Sequence, residues 1–417
     1  MSYPLSPDLS KTSPPLQGIR VLDLSRVLAG PWASQLLGDY GAEIIKVERP
    51  RTGDDTRHWG PPWLRDAGGR QTGESAYFLS TNRNKRSITV DLAHPSGQRV
   101  VRELAARSDV LLENYRVGTL VRHGLDWPTL RELCPALIYC SISAYGRTGP
   151  RAAEPGYDAM MQASAGLMSI TGAPDEEGGT PQKVGVAVSD LMAGMYAATA
   201  ILAALQARHR TGQGQHIDVP LYDSQVAWLA NQAMNYLVSG EVPQRLGTAH
   251  PNIVPYQAFE TSDGFLMLAV GNDHQFRACT QCLECPELAE DARYATNAKR
   301  VENRHALVAI FVERFRRRTT SEWLELLQKW KIPAGPINNL AQVFSGPQAR
   351  DAQLVRQVPH PVAGMVPVVA NPVRFSATPV EYRSAPPLLG QHTAEVLRDE
   401  LGYSDEEISA LQESGAI

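Results

Sequence analysis

Short apolar runs alternate with helical patterns along the first part of the chain. Runs of strand length occur at RVLDLS (20–25), AEIIKV (42–47), RSITVDL (86–92), DVLLE (109–113) and LIYCSIS (137–143). Helical patterns lie between them, at 32–40, 96–107 and 127–134. Apolar runs without polar alternation are typical of parallel strands that are covered on both faces. The pattern therefore predicts an α/β fold, with a ligand site beyond the carboxyl ends of the strands.

The second part of the chain predicts a further domain. A helical segment over 223–239 leads to a block at about 247–335, which has a strand at 265–270 and helices at 302–316 and 321–330. A stretch rich in Pro and Val follows at 355–375, and helices close the chain over 388–411. Single hydrophobic cores stop growing at about 250–300 residues. A chain of 417 residues is therefore expected to form two domains.

The most apolar stretch of the chain is VGVAVSDLMAGMYAATAILAALQARHR, at 184–210. Its start resembles a strand, and a nearly uncharged helix is predicted over 191–207. That helix is interrupted by Gly194 and falls below the about 18–20 residues of a membrane span, so a buried helix is expected. Asp190 stands where the helix begins. Spacing alone favours an N-cap, but a carboxylate kept ionised by the helix dipole can also act as a nucleophile.

Composition and charge limit the class of protein. Hydrophobic residues make up 43% and charged residues 20%, and the net charge is −4, which is ordinary for a globular protein and argues against bulk binding of nucleic acid. The five cysteines are an odd, sparse set that fits a reducing compartment. The segment MSYPLSPDLSKTSPPLQ has no apolar core of a secretory signal and is interpreted as a loose arm. A cytoplasmic protein is expected.

The candidate ligand-binding motifs are few. The spacing C-x2-C-x2-C at Cys279, Cys282 and Cys285 suggests iron–sulfur ligation, but no fourth cysteine is near, so packing is favoured and no metal is predicted. No Gly-rich dinucleotide motif or P-loop is present. His250 lies in a Pro-rich loop. Arginine binds phosphate without such loops, and basic residues recur near predicted strand ends at Arg26, Arg49, Lys85, Arg86, Arg116 and Arg122.

Motifs along nearly the whole chain carry a family resemblance. They include LQGIRVLDLSRVLAGPWASQLLGDYGAEIIKVERP, NRNKRSITVDL, LLENYRVGTL, SISAYGRTGP, GYDAMMQASAGLMSITG, SDLMAG, RHRTGQGQHIDVPLYD, HPNIVPYQ and IPAGPI. Together they resemble the family III CoA-transferases, the group of formyl-CoA and carnitine CoA-transferases. The same superfamily contains 2-methylacyl-CoA racemases. The overall match is most similar to the branch that moves CoA from succinyl-CoA to dicarboxylates such as glutarate, hydroxymethylglutarate or itaconate.

The resemblance implies a reaction and a site. Asp190 is implied as the catalytic carboxylate, which forms an aspartyl mixed anhydride and then an aspartyl-CoA thioester. Tyr77, Tyr157 and His250 are expected in the acyl pocket. CoA or acyl-CoA is a substrate, and no permanently bound cofactor is expected. The residues implied to bind CoA are Arg26, Val27, Leu28, Ala29, Arg49, Val90, Asn114, Tyr115, Thr119, Arg122, Ser143, Ala144 and Tyr145.

The resemblance also implies an architecture. A Rossmann-like large domain would be formed by residues 1–225 and completed by residues 371–417. Linkers at 226–246 and 341–370 would flank a smaller α+β domain at 247–340. Two such chains would interlock as a homodimer, and no membrane or nucleic acid is expected as a partner.

Two positions refine the expected activity. Racemases of the superfamily carry histidine in a G-H-D motif, which here reads Gly156-Tyr157-Asp158. Tyrosine, with a pKa near about 10, is a poor base at neutral pH, so transfer is favoured over racemisation. Leu28 replaces a glutamine of the formyl-CoA transferases, whose glycine-rich lid is also missing from RLGTAHPNIVPYQ, so a different acid is expected. A racemase and a non-catalytic CoA-binding protein remain the alternatives.

A dicarboxylate substrate requires a cation for its distal carboxylate. Arg83, Arg86, Arg116 and His250 are the candidates. The sequence does not choose among them.

Overall fold

The computed structural model describes residues 13–417, so most of the expected N-terminal arm lies outside the described residues. The strands are β1 (Arg20–Asp23), β2 (Glu43–Glu48), β3 (Trp63–Arg65), β4 (Gln71–Ser75), β5 (Lys85–Thr89), β6 (Val110–Glu113), β7 (Ile138–Ser143), β8 (His216–Pro220), β9 (Tyr256–Glu260), β10 (Phe265–Ala269), β11 (Ala334–Pro336), β12 (Val355–His360) and β13 (Gly364–Val369).

The helices are α1 (Ala29–Asp39), α2 (Ala76–Leu79), α3 (Pro95–Ala106), α4 (Trp127–Leu133), α5 (Asp158–Ser164), α6 (Leu167–Ile170), α7 (Val188–Thr211), α8 (Leu221–Trp228), α9 (Ala230–Ser239), α10 (Asp273–Cys282), α11 (Glu287–Glu290), α12 (Asn297–Glu302), α13 (Arg304–Phe315), α14 (Thr320–Lys329), α15 (Leu340–Ser345), α16 (Pro347–Asp351), α17 (Thr393–Leu401) and α18 (Asp405–Glu413).

A parallel sheet organises the first of two compact units. The strand order is β5-β2-β1-β6-β7-β8, and each neighbouring pair is parallel. The chain therefore runs outward from β1 to one edge of the sheet, returns to its middle at β6, and runs to the other edge. Such a reversal opens a crevice at the carboxyl ends of the two central strands, where open α/β sheets bind ligands. The α/β fold expected from the sequence is confirmed at this level.

Both faces of this sheet are covered. One face packs α1 and α7 against strand residues such as Val21, Ile44 and Val110. The opposite face, with Leu22, Ile45 and Leu111, packs against α3, α4 and the C-terminal helices α17 and α18. Neighbouring residues of one strand thus enter different cores, which explains why the strands read as unbroken apolar runs.

The chain contributes three segments to the first unit: residues 13–165, Gly185–Trp228 and Pro347–Ile417. The second unit consists of Gly166–Val184 and Leu229–Gly346. It contains an antiparallel sheet in the order β11-β10-β9, and its core includes Phe259, Phe311 and Trp323. The architecture implied by the family resemblance included 166–184 in the larger domain. Arg245 explains the difference, because its guanidinium ion-pairs with Asp175 and donates a hydrogen bond to the carbonyl of Ala173.

Two predicted elements have different boundaries in the structure. The strand-like run 184–188 is not a strand; α7 begins at Val188 and continues to Thr211. The predicted helix 223–239 is divided at Leu229 into α8 and α9. By length and hydropathy alone α7 could cross a membrane. Its small residues, including Ala193, Ala197 and Ala204, are buried in the core of the first unit, as the sequence analysis expected of this helix.

Candidate active site

The close approach of α7 to α1 sets the position of Asp190. A Cβ on Gly194 would lie 2.6 Å from the carbonyl oxygen of Ala29 and 3.1 Å from the Trp32 ring, so only glycine fits between the two helices. Asp190 precedes Gly194 by one helical turn, on the same side of the helix. The contact therefore places the Asp190 carboxylate near the start of α1, just after β1.

Asp190 is not the N-cap of α7. That position belongs to Ala187, and Asp190 is the third residue of the helix. The N-cap interpretation was therefore wrong. The carboxylate of Asp158 supplies an acceptor to this helix terminus instead: it accepts the backbone N–H of Ser189 at 2.8 Å. Asp158 is held in turn by Gln162, whose amide donates to it at 2.7 Å.

A cavity of about 410 Å³ opens beside Asp190. Much of its wall comes from segments that follow the carboxyl ends of four strands of the sheet, which is where a doubly covered parallel sheet is expected to bind ligands. After β1, β6, β7 and β8 these are, in order, Arg26–Ala29, Asn114–Val117, Ala144 and Leu221. The rest of the wall comes from Asp190 and from Asp55, Trp59, Ile142, Ser143, Ala152 and the segment 154–157.

The environment of Asp190 makes its carboxyl group harder to ionise than that of an ordinary aspartate. Burial is the main cause and the Asp158 carboxylate adds to it, and together they raise the pKa of Asp190 to about 7. Tyr77 shares this environment: burial and the Asp190 carboxylate raise its pKa to about 12, so its phenol keeps its proton. Its ring packs edge-on against Trp59, with ring centroids 5.1 Å apart. A carboxyl with such a pKa is a stronger nucleophile when ionised than an ordinary aspartate.

The structure brings together many of the residues that the resemblance implied for CoA. Those that line the cavity with Asp190 and Tyr157 are Arg26, Val27, Leu28, Ala29, Asn114, Tyr115, Ser143 and Ala144. The others lie outside its wall. Arg49 ion-pairs with Asp55, Val90 is buried in the core, and Tyr145 packs against Tyr222. Arg122 lies in the 3-10 turn Leu120–His123 after β6, and Thr119 is the residue just before that turn.

Arg26 and Arg49 ion-pair with Asp55, and three further basic candidates also have partners within the protein. The ammonium of Lys85 is buried, donates to the carbonyl of Pro31 at 3.0 Å and ion-pairs with Asp23 at 3.4 Å. Lys85 and Arg86 begin β5, so they lie at the amino end of their strand, whereas ligands bind at carboxyl ends. Arg86 ion-pairs with Glu400 at 2.8 Å, and Arg83 binds Asp39 and the carbonyl of Val369. Among the four candidates for a distal carboxylate, Arg116 lines the cavity.

The comparison with known proteins identifies the family. A family model described as CoA-transferase family III matches residues 16–393. The chain belongs to CoA-transferase family III. It is 47% identical over 403 residues to the succinyl-CoA:glutarate CoA-transferase of Homo sapiens, covering 97% of this chain and 90% of that protein. The succinate–glutarate CoA-transferase of Agrobacterium fabrum is 47% identical, covering 94% of this chain and 97% of that protein.

A solved structure agrees with this family III fold. A CAIB/BAIF family protein from Brucella suis matches with a TM-score of 0.82 and 47% sequence identity, covering 94% of this chain and 100% of that chain. The chain is thus a family III CoA-transferase, an enzyme that acts on CoA thioesters.

Several wall residues of this CoA-transferase were not found from the sequence. Asp55 and Trp59 lie in or beside a 3-10 turn between β2 and β3, and Glu154 and Pro155 lie in an irregular loop. These segments have no apolar periodicity, so the pattern of the sequence could not place them. Val117 lies four residues after β6 ends and Leu221 directly follows β8, so the rule that ligands bind beyond strand ends could have found them.

The remaining candidates lie in the second unit. Cys279, Cys282 and Cys285 are buried in its apolar core, and burial raises the pKa of Cys282 and Cys285 to about 11. Their interpretation as packing residues is confirmed. Within residues 13–417, no group of three or more His, Cys, Asp or Glu side chains is arranged to hold a metal ion. The ring of His250 stacks on Tyr256 at 5.2 Å, and its place in the acyl pocket stays a prediction.

Proposed function

We propose that this enzyme transfers CoA from succinyl-CoA to glutarate, with the Asp190 carboxylate as the group that carries first the acyl unit and then CoA. The observation that supports this most is the position of Asp190, half-buried in the wall of the same cavity as Arg26, Asn114 and Ser143. Relatives that are 47% identical over most of the chain are named for this pair of substrates.

The first half of the reaction releases succinate. A carboxylate oxygen of Asp190 attacks the thioester carbonyl of succinyl-CoA, the C–S bond breaks, and CoA leaves as a thiolate. The product is a mixed anhydride between Asp190 and succinate. The thiolate then attacks the Asp190 carbonyl of this anhydride, and succinate leaves with the oxygen that came from Asp190. The enzyme now holds CoA as an aspartyl thioester.

The second half repeats these steps in reverse with glutarate. A glutarate oxygen attacks the aspartyl thioester, which releases CoA thiolate and forms an Asp190–glutaryl anhydride. The thiolate attacks the glutaryl carbonyl, and Asp190 returns as a carboxylate that keeps one glutarate oxygen. No net proton transfer is needed. An aspartate suits this cycle because its anhydride is close in energy to the substrates' own activated acids, whereas a serine ester would be too stable.

Binding energy far from the reacting bond helps the first, uphill step. The residues proposed to hold CoA are Arg26–Ala29, Asn114, Tyr115, Ser143 and Ala144 of the cavity wall, together with Arg49, Val90, Thr119, Arg122 and Tyr145. The backbone N–H groups of Ala144 and Tyr145, at the end of β7, are proposed donors to the oxyanion of the tetrahedral intermediates. Tyr77, Tyr157 and His250 are proposed to contact the acyl group, and Arg116 its distal carboxylate.

The residue at position 157 argues against racemisation. Tyr157 lines the cavity with 64% of its surface exposed, at the position where the racemases carry a histidine base. A phenol is a much poorer general base than an imidazole at neutral pH. A two-base exchange of an α-proton between Asp190 and residue 157 is therefore not proposed.

The assembly is proposed to be an interlocked homodimer in the cytoplasm, with a Rossmann-like large domain completed by the C-terminal segment. Large apolar side chains are exposed on α7, such as Met195 and Tyr196, and on α9, such as Met234 and Leu237. Exposed apolar surface of this kind is typical of protein interfaces. Sedimentation velocity at micromolar concentration is expected to give the mass of a dimer, and a monomer would contradict the assembly.

The function is tested by replacing Asp190. Asp190→Asn keeps the size of the side chain but removes the nucleophile, so exchange between succinyl-CoA and glutarate is expected to fall at least about a thousandfold. Asp351→Asn, at an exposed carboxylate of α16, is the matched control and is expected to keep full activity. Asp190→Asn with more than trace turnover would contradict the role of Asp190. Wild-type enzyme that exchanges other acids but not glutarate would contradict the substrate alone.

A further inference from the structure

The wall segment after β1 has an unusual backbone. Arg26, Val27, Leu28 and Ala29 all line the cavity, and Val27 has a φ of 72°. A β-branched residue in the left-handed region is strained, because its Cβ approaches the following carbonyl. Residues held in this way persist only where the surrounding structure determines them.

A buried ion pair contacts this segment on both sides of Arg26. The ammonium of Lys46, on β2, donates to the carbonyl of Ser25 at 2.9 Å and ion-pairs with Asp54 at 2.9 Å. Both side chains are almost fully buried. The backbone N–H of Val27 lies 3.2 Å from each carboxylate oxygen of Asp54. The pair therefore binds the backbone of the residue before Arg26 and the residue after it.

Asp54 is fixed as an anion in this position. Burial opposes its ionisation, but the Lys46 ammonium and the hydrogen bonds from Thr56 outweigh burial and lower the pKa of Asp54 to about 2. The Thr56 N–H donates to Asp54 at 3.0 Å and the Thr56 hydroxyl at 2.8 Å. A carboxylate bonded on several sides holds its remaining partner, the Val27 N–H, in one geometry.

Asn114 holds the same segment from the other side. Its carbonyl accepts the backbone N–H of Arg26 at 2.9 Å, and its amide donates to the carbonyl of Arg26 at 2.6 Å. Asn114 itself lines the cavity, whereas Lys46 and Asp54 do not belong to its wall. The ion pair can thus affect a ligand indirectly, through the segment that it holds and through the 3-10 turn that Asp54 caps, which carries the wall residues Asp55 and Trp59.

We propose that Lys46 and Asp54 are positioning residues of the CoA site: they hold Val27 in its left-handed conformation and thereby set the wall segment Arg26–Ala29 in the shape that binds CoA. The inference rests on the proposed function, because it assigns this wall to CoA. If the pair had only a structural role, two apolar residues that fill the same space could replace it. The strained residue that faces the cavity is what distinguishes a positioning role.

The experiment combines Asp54→Asn with substitutions at Val27. Glycine adopts a φ of 72° without strain, whereas alanine loses the same side-chain contact but keeps the Cβ that causes the strain. Val27→Ala is therefore the matched control for Val27→Gly. The measurements are KM for succinyl-CoA, kcat, and the affinity of each protein for CoA itself by isothermal titration calorimetry.

The positioning role predicts a specific rescue. Asp54→Asn is expected to raise KM for succinyl-CoA about tenfold, the effect of losing one charge-assisted hydrogen bond, with a smaller loss in kcat. Adding Val27→Gly is expected to restore most of this loss, and adding Val27→Ala is expected to restore none. In the wild-type background the two Val27 variants are expected to have similar KM values. Equal effects of glycine and alanine in the Asp54→Asn background would overturn the inference.

A further variant keeps the test valid if Asp54→Asn does not fold. Val27→Pro leaves the buried ion pair intact but removes the N–H that Asp54 accepts and forbids a positive φ. It is expected to weaken CoA binding well beyond Val27→Ala, and equal affinities would overturn the inference. Wild-type protein that binds no CoA would contradict the proposed site itself, whereas CoA binding that is equal in all variants would contradict the positioning role alone.

Discussion

Asp190 must be ionised to attack a thioester, yet its surroundings favour the neutral form. Burial and the nearby Asp158 carboxylate raise its pKa to about 7, and Asp158 also accepts the Ser189 N–H at the start of α7. One residue therefore both fixes the helix terminus that presents the nucleophile and raises the basicity of that nucleophile. A more basic carboxylate is a better nucleophile once it is ionised, provided that the pH allows it to lose its proton.

This environment predicts the pH dependence of the rate. Because the raised pKa leaves roughly one-tenth of Asp190 ionised at pH 6, kcat/KM is expected to rise with pH through about 7 and then level off. Asp158→Asn keeps an acceptor for the Ser189 N–H but removes the like charge, so the midpoint is expected to move to lower pH. Profiles of kcat/KM for succinyl-CoA at constant ionic strength measure both midpoints. A midpoint that stays in place or rises in Asp158→Asn would contradict the electrostatic role of Asp158.

At the scale of elements, α7 was hard to interpret from its sequence, because it combines a long apolar stretch with a single carboxylate, Asp190, near its start. The helix is apolar over most of its length because it packs against α1 and the sheet, and Gly194 allows the backbones to approach. The sequence predicted the helix and its burial but began it at residue 191. This difference of three residues matters for Asp190, since a helix that begins at Val188 excludes an N-cap at position 190.

The close packing of α7 on α1 gives a prediction for stability. Gly194→Ala would bring a methyl group to 2.6 Å from the Ala29 carbonyl oxygen, so the helices must separate. Overpacking of this kind is expected to lower the free energy of unfolding by about 1–3 kcal/mol, and activity is expected to fall because Asp190 moves with the helix. Urea denaturation followed by circular dichroism measures the change. Gly335→Ala, where a Cβ meets no atom within 4 Å, is the control, and an equal effect of both variants would contradict the packing role.

At the scale of the whole molecule, strands that follow from local sequence patterns could be predicted. Contacts between residues that lie far apart in the sequence could not. Apolar periodicity gave the strands β1, β2, β5, β6 and β7 to within a few residues, because each is a short buried run between helices. The rule for strand ends then led to Arg26 and Arg116 of the cavity wall, whereas Val27, Leu28, Ala29, Asn114 and Tyr115 came from the family resemblance. Single charged residues were less predictable. Lys85 and Arg83 look like ligands in the sequence, but they are neutralised by Asp23 and Asp39, which lie far away along the chain.

The division into units also depends on contacts between residues that lie far apart in the sequence. The segment Gly166–Val184 lies between two stretches of the first unit and has little regular structure, so its own pattern carries no sign of where it packs. The contacts that place it come from Arg245, about seventy residues later. The buried pair Lys46–Asp54 was likewise not found from the sequence, because a lysine within an apolar strand gives no indication of its partner.

The central claim is that the Asp190 carboxylate joins covalently in each transfer, and oxygen labelling tests it most directly. Enzyme that turns over succinyl-CoA with glutarate carrying ¹⁸O in its carboxylates is digested, and the peptide containing Asp190 and the released succinate are examined by mass spectrometry. The account predicts that ¹⁸O enters the Asp190 side chain in the first turnover and reaches succinate in later ones. Turnover that leaves Asp190 unlabelled would contradict it.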